Sequence, residues 1–352
     1  MSKLKLGLIG CGNISPLYLK AAQHFDNLEY IACSDLNMEA AEARAKEFNI
    51  PNVLSVNEII HHPEIDCIVN LTVPTAHAEV AKKALNAGKH VYNEKPLAAE
   101  LADAKEIVAL AKAKNLRLAC APSTFLGATV QTAKQGVQDG LIGEVIAANA
   151  FFMSHGMEHW HPNPESFYQK GAGPMFDMGP YYLTALVHIL GSVSSVNASA
   201  RISFEERTIS SQPKAGQTFS VTTPTYISGT LLFTLGAIAT VITSFDVWHT
   251  QMPRFEIYGS EGTLALEAPN MFGVKVEVRK AKDETWQPLP LVSKHQDFEG
   301  SWGLALADLA WAIEEGRPHQ ASAEQALHVL ELMHAFLKSA ESGQRVMIES
   351  KL

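Results

Sequence analysis

Only four cysteines occur in 352 residues, Cys11, Cys33, Cys67 and Cys120, all in the first third and without a CxxC pair. Their scarcity excludes a disulfide-framed secreted scaffold or a cysteine-rich metal fold, and reduced thiols in a cytoplasmic protein are expected. Blocks of Lys or Arg are missing too, and 28 basic against 37 acidic residues give a formal charge of -9. Such a chain has no electrostatic footprint for nucleic acid or anionic lipid, so neither is expected as a partner. The stretch that comes nearest to a membrane span, 226–245, is uncharged but rich in Thr, Ile, Val and Phe. Gly236-Ala237 splits it into two strand-length halves, which is the pattern of a buried β-hairpin. The opening MSKLKLGLIGCG meets glycines too early for a signal-peptide core, and there is no internal repeat or low-complexity tract.

What is present is ordinary for an enzyme: 47% apolar and 18% charged residues. The length exceeds what one core usually supports, so two domains are expected. Up to residue 122, strand patterns at 5–9, 30–34, 67–71, 90–93 and 117–121 alternate with helical patterns such as 38–48 and 98–114. That alternation predicts an α/β fold with an N-terminal Rossmann doubly wound parallel sheet. Beyond it come a helix near 128–138, a strand near 145–152, a helix near 180–190 and several strand patterns up to about 279. They predict a C-terminal α+β domain with an open, mainly antiparallel sheet. The boundary is placed at Ser123, giving domains 1–123 and 124–352. Ser322 and Gln325 form a capping box before a closing helix that Gly343 should stop.

The segment Gly10-Cys11-Gly12-Asn13-Ile14-Ser15 runs from a strand into a helix. Gly10 permits a tight turn, Gly12 lets the backbone approach a pyrophosphate, and Asn13 and Ile14 lead to helix-start amides that favour an anion. Ser15 stands where a third glycine would serve close packing, and it is small enough to do so. Asp35 ends the second strand pattern, where a carboxylate accepts from adenosine ribose hydroxyls. Leu36, Asn37 and Met38 offer no cation to a 2'-phosphate, so NAD is expected over NADP. Asn70, Thr72, Pro74 and His77 follow a later strand and are expected to flank the dinucleotide; a helix-start role for Thr75 or His77 is the alternative.

The strand at 90–93 ends in Asn93-Glu94-Lys95-Pro96, which aims Glu94 and Lys95 at the crevice where open α/β sheets bind ligands. With the glycine turn and Gly171-Ala172-Gly173-Pro174-Met175-Phe176-Asp177-Met178-Gly179-Pro180-Tyr181, this resembles the Gfo/Idh/MocA oxidoreductase family over nearly the whole chain. The resemblance implies an NAD-dependent dehydrogenase acting on a hydroxyl-bearing carbon of a sugar or polyol. It makes Lys95 a catalytic and substrate-binding residue, with Asp177 and Tyr181 completing the constellation, and makes 1–123 the NAD-binding domain and 124–352 the substrate-binding and oligomerisation domain.

Most relatives have histidine where this chain has Tyr181. Tyrosine ordinarily titrates near about 10, so a nearby cation such as Lys95 would help it work at neutral pH. Ala172 replaces a frequent glycine, which matters only if that position needs a positive φ. Asp177 and Tyr181, four apart, share a helix face, with Asp177 expected at the helix N-terminus, where the dipole favours its charge. His188 lies farther along that face as a core or interface residue. The loop His155-Gly156-Met157-Glu158-His159-Trp160-His161 carries enough ligand types to suggest zinc or iron, but the resemblance implies no metal there and instead hydroxyl contacts from Trp160 and His161. Two other readings share the fold: a non-catalytic NAD-bound sensor and an NAD-dependent glycosidase. Apolar residues on both sides of 230–245 predict a homodimer or homotetramer.

Overall fold

The computed structural model describes residues 3–352. Leu4–Ile9 (β1), Leu28–Ser34 (β2), Asn52–Val53 (β3), Cys67–Asn70 (β4), His90–Asn93 (β5) and Leu118–Cys120 (β6) form one sheet in the order β3-β2-β1-β4-β5-β6. Every pairing in it is parallel. All of β4 is buried, as are the last four residues of β1, which is what helices on both faces of a parallel sheet require. The strand order reverses between β1 and β4, so the loops after these two strands open the crevice at which such sheets take ligands. The edge strand β3 was not expected: two residues are too few to show a period.

The chain divides into two compact units, and the division departs from a single boundary at Ser123. The first unit runs to Gly127 and also takes in His295–Leu330. The returning segment is stitched in by polar bonds: Ser123 Oγ donates to the Trp302 carbonyl (2.7 Å), Asn27 Nδ2 to that of Ala307 (3.0 Å) and the Cys120 amide to that of Ala321 (3.1 Å). An amphipathic helix announces that it has a core to face, not which one.

The second unit, Ala128–Lys294 with Glu331–Leu352, is built on a nine-stranded sheet. Val145–Met153 and Ile238–Ser244 pair in parallel, whereas Tyr226–Phe233 is antiparallel both to Ile238–Ser244 and to Val193–Arg201. The hairpin at 226–245 is therefore present, closed by the Phe233 amide on the Ala237 carbonyl (2.9 Å) and by Gly236 at φ 96. Its period is two: Ile227, Leu231, Phe233, Ala239 and Val241 are buried, while the other face shows Ser228, Thr230 and Thr240 among half-exposed Leu232, Ile238 and Ile242. A small two-stranded ribbon, Glu206–Thr208 with Thr218–Ser220, escaped the sequence pattern. The closing helix covers Ala323–Ser342, with the Gln325 amide on Ser322 Oγ (3.2 Å) at its start and Gly343 at φ 67 beyond its end. Among the described residues no helix is long and apolar enough to cross a membrane.

Candidate active site

In the turn after β1, Gly10 has φ 101, and a side chain there would bring its Cβ within 2.6 Å of the Leu71 carbonyl. Only glycine fits. At Gly12 a Cβ would meet nothing within 4 Å, so the space above the turn is open. The helix Ser15–Ala22 that follows has no side-chain cap at Ile14. Its own first amides are taken, Ser15 by the Gly12 carbonyl (3.2 Å) and Leu17 by that of Ile14 (3.1 Å), and Pro16 has none, so an anion at this helix start would meet the amides of the turn before it. Ser15 is fully buried and donates to the Gly12 carbonyl (2.8 Å), taking the third-glycine place. Asp35 closes the turn: Oδ2 accepts from the Cys11 amide (2.7 Å) and Oδ1 from the Asn37 amide (2.8 Å). Each oxygen keeps lone-pair capacity for ribose hydroxyls. An open glycine cradle, an uncapped helix start and a fixed carboxylate fit a dinucleotide. Asn13 is exposed on the turn and Ile14 half-buried.

Of the four residues after β4 expected to flank the dinucleotide, two are enclosed by the protein itself. Asn70 and His77 are fully buried. Asn70 Nδ2 donates to the His77 carbonyl (3.1 Å) and to Asn93 Oδ1 (2.9 Å), and its Oδ1 accepts from Thr72 Oγ1 (2.7 Å). The His77 ring lies between two backbone carbonyls, Nδ1 2.7 Å from Pro96 O and Nε2 3.1 Å from Thr72 O. These two side chains are framework behind the crevice rather than its lining, and His77 does begin a helix, His77–Asn86. Thr72 and Pro74 stay at the surface of the loop.

Beyond β5, Glu94 is buried, its Oε1 accepting from the Tyr18 hydroxyl (2.8 Å) and its Oε2 from the Lys95 amide (2.5 Å). Lys95 is half-buried and its bond to Pro96 is cis. Tyr18 was absent from the sequence reading; 76 positions separate it from Glu94, and no local pattern joins them.

On the second unit, Asp177 does not sit in the first turn of the long helix. It is the last residue of a short helix, Gly173–Asp177, and Tyr181 lies in the first turn of the next, Gly179–Leu190. Each helix has a proline at its start. Pro180 lacks the N–H that would continue the first helix, so the backbone restarts. Ala172 has φ -116, so the position does not need the positive φ that would favour glycine. His188 Nε2 accepts from Gln131 Nε2 (3.0 Å) and Lys134 Nζ (3.1 Å), a framework contact.

The loop after Val145–Met153 turns its carboxylate inward. Glu158 pairs with Arg207 and accepts from the Tyr168 hydroxyl, and Arg207 also pairs with Asp246. Among the described residues no three His, Cys, Asp or Glu side chains gather as a metal would need. Trp160 is 58% exposed and stands edge-on to His161 (5.4 Å), which packs against Phe167 (4.9 Å).

Burial holds the titrations of His77, His90 and His319 below the ordinary histidine value of 6.5. As pH falls through about 6.5 the unfolded chain takes up protons that these rings refuse, so stability is complete above that value and declines below it. Tm should therefore fall between about pH 7.5 and about pH 5.5. A flat or rising Tm over that interval would contradict this.

Residues 4–121 match the family model described as "Oxidoreductase family, NAD-binding Rossmann fold", and residues 130–265 match the "GFO/IDH/MocA C-terminal domain". The chain is 27% identical to 1,5-anhydro-D-fructose reductase of Ensifer adhaerens, over 98% of this chain and 99% of that protein. It is 26% identical to levoglucosan dehydrogenase of Pseudarthrobacter phenanthrenivorans, over 75% and 73% of the two chains. In fold it is similar to an NAD binding oxidoreductase from Klebsiella pneumoniae, with a TM-score of 0.87, 22% identity and complete coverage of both chains.

Proposed function

Because the chain belongs to the Gfo/Idh/MocA family of NAD-binding oxidoreductases, we propose that it is a dehydrogenase or reductase moving hydride at a secondary hydroxyl or carbonyl of a sugar or polyol. The observation that carries this reading is the glycine turn closed by Asp35, at the same crevice to which β5 delivers Lys95. The names of two relatives, an anhydrofructose reductase and a levoglucosan dehydrogenase, support the sugar class.

NAD, when bound, supplies the hydride acceptor at its nicotinamide ring. Gly10, Gly12, Asn13 and Ile14 would hold the pyrophosphate and Asp35 the adenosine ribose, with Thr72, Pro74 and Glu94 beside the dinucleotide and Asn70 and His77 behind them. Lys95 binds the substrate oxygen and stabilises negative charge as it develops there. Tyr181 takes the hydroxyl proton on oxidation and returns it on reduction. Asp177 orients the substrate or the Tyr181 phenol, while Trp160 and His161 contact further hydroxyls; no metal takes part.

The test is NADH formation from NAD with levoglucosan, D-glucose and myo-inositol, and NADH oxidation with 1,5-anhydro-D-fructose, each repeated with the NADP forms. Net redox with NAD favoured is expected. Cleavage of a glycoside with NAD unchanged would point to a glycosidase, and tight NAD binding with no turnover to a sensor. The four buried free thiols support a cytoplasmic protein. The half-exposed row Leu232, Ile238 and Ile242 supports a homodimer or homotetramer through that sheet face, to be read by light scattering.

A further inference from the structure

The loops after β4 and β5 are joined by one side chain. His77 is fully buried, and its ring nitrogens face Pro96 O at 2.7 Å and Thr72 O at 3.1 Å. A neutral imidazole has one N–H and can donate to one of these carbonyls at a time. The shorter contact takes it. Nδ1–H then donates to Pro96 O while the Nε2 lone pair faces Thr72 O. The Pro96 carbonyl belongs to the peptide that joins Pro96 to Leu97, one peptide beyond Lys95, so the bond anchors the residue to which Lys95 is joined and, through it, the backbone from which the ammonium projects. The rest of the turn is held from other directions: the Glu94 amide donates to Asn70 O (2.9 Å), the Lys95 amide to Glu94 Oε2 (2.5 Å), and Asn93 Nδ2 to Leu97 O (3.0 Å). Without His77 the Pro96 carbonyl becomes a buried acceptor with its donor removed.

We propose that His77 is a positioning residue: its Nδ1–H bond to the Pro96 carbonyl sets the direction of the Lys95 side chain, and its contribution is to the reaction rather than to dinucleotide binding. This rests on the role assigned to Lys95 above. The two ring positions can be separated by amide isosteres. In His77→Asn the side-chain NH2 falls near the place of Nδ1 and can still donate to Pro96; in His77→Gln it falls near that of Nε2 and reaches toward Thr72 instead. His77→Phe keeps the ring volume and donates to neither.

The expected result is a fall in kcat of about 100-fold in His77→Phe and His77→Gln, the cost of a misplaced catalytic group, with recovery to within about 5-fold in His77→Asn. NADH affinity, followed by its fluorescence, should stay within about 3-fold in all three, since lost orientation lowers kcat without removing ground-state binding. A readout that needs no substrate is competitive labelling with acetic anhydride, which reports the reactivity of Lys95 by peptide mass. It should shift in the Phe and Gln variants and return in the Asn variant. Unchanged kcat and unchanged Lys95 labelling in His77→Gln would overturn the proposal, as would loss of NADH binding in parallel with kcat. If Lys95→Ala is inactive and His77→Gln is not, only the positioning role falls; if Lys95→Ala is active, the reading beneath it falls.

Discussion

Lys95→Ala should lower turnover by about 10²–10³-fold or more, the usual cost of removing a charged donor from a developing oxyanion, while NADH affinity stays within about 3-fold. The split follows from where the residue stands. In the proposed site the dinucleotide would be held by backbone at Gly10 and Gly12 and by the Asp35 carboxylate, and the structure of that turn does not depend on the lysine side chain. The turn under Lys95 is held by backbone and by Glu94, Asn93 and His77, so truncation to Ala removes the ammonium and leaves its support. Steady-state rates with the active sugar and a fluorescence titration with NADH check both halves. Near-normal turnover would overturn the catalytic role. Equal loss of turnover and NADH affinity would make Lys95 a cofactor ligand instead. Lys95→Arg keeps the charge but spreads it over a planar fork, and should recover little.

How much of this was legible beforehand depends on how local the cause is. The glycine turn was readable because Gly10 answers to a steric demand of its own backbone, and Asp35 because it ends a strand of recognisable period. The hairpin at 226–245 was readable for the same reason. The helix break at Met178 was carried by Pro174 and Pro180, a signal present in the sequence but outweighed by the four-residue spacing of Asp177 and Tyr181. The burial of Asn70 and His77 was not legible, because their partners, Asn93 and Pro96, lie on the next strand and its turn. The return of 295–330 to the first unit, the Tyr18–Glu94 bond and the Arg207 cluster depend on pairings across tens or hundreds of positions. Nothing in their neighbourhood announces them.

That last cluster carries the largest expected loss of stability. The Arg207 side chain is 4% exposed and divides its guanidinium between Glu158 and Asp246, whose side chains are 11% and 7% exposed. It also donates to the Phe245 carbonyl (3.0 Å), and its charge lies 4.9 Å from the centre of the Tyr168 ring. Arg207→Leu leaves two buried carboxylates with only hydroxyl donors, Tyr168 on Glu158 and Thr225 on Asp246, and the cation gone; breaking such a pair costs about 3–5 kcal/mol. For a unit of this size that is a fall in Tm of roughly 10 °C. Because one carboxylate belongs to the loop that bears Trp160 and His161, substrate KM should rise in whatever fraction stays folded, with NADH affinity unchanged. The cause separates from lost volume by adding Glu158→Gln and Asp246→Asn to Arg207→Leu. Removing the stranded charges should restore about half of the lost stability or more, since most of the penalty is an uncompensated charge. Failure of the triple variant to recover would mean that the guanidinium acts here through packing on Tyr168 and Phe204, and that the ion pairs add little.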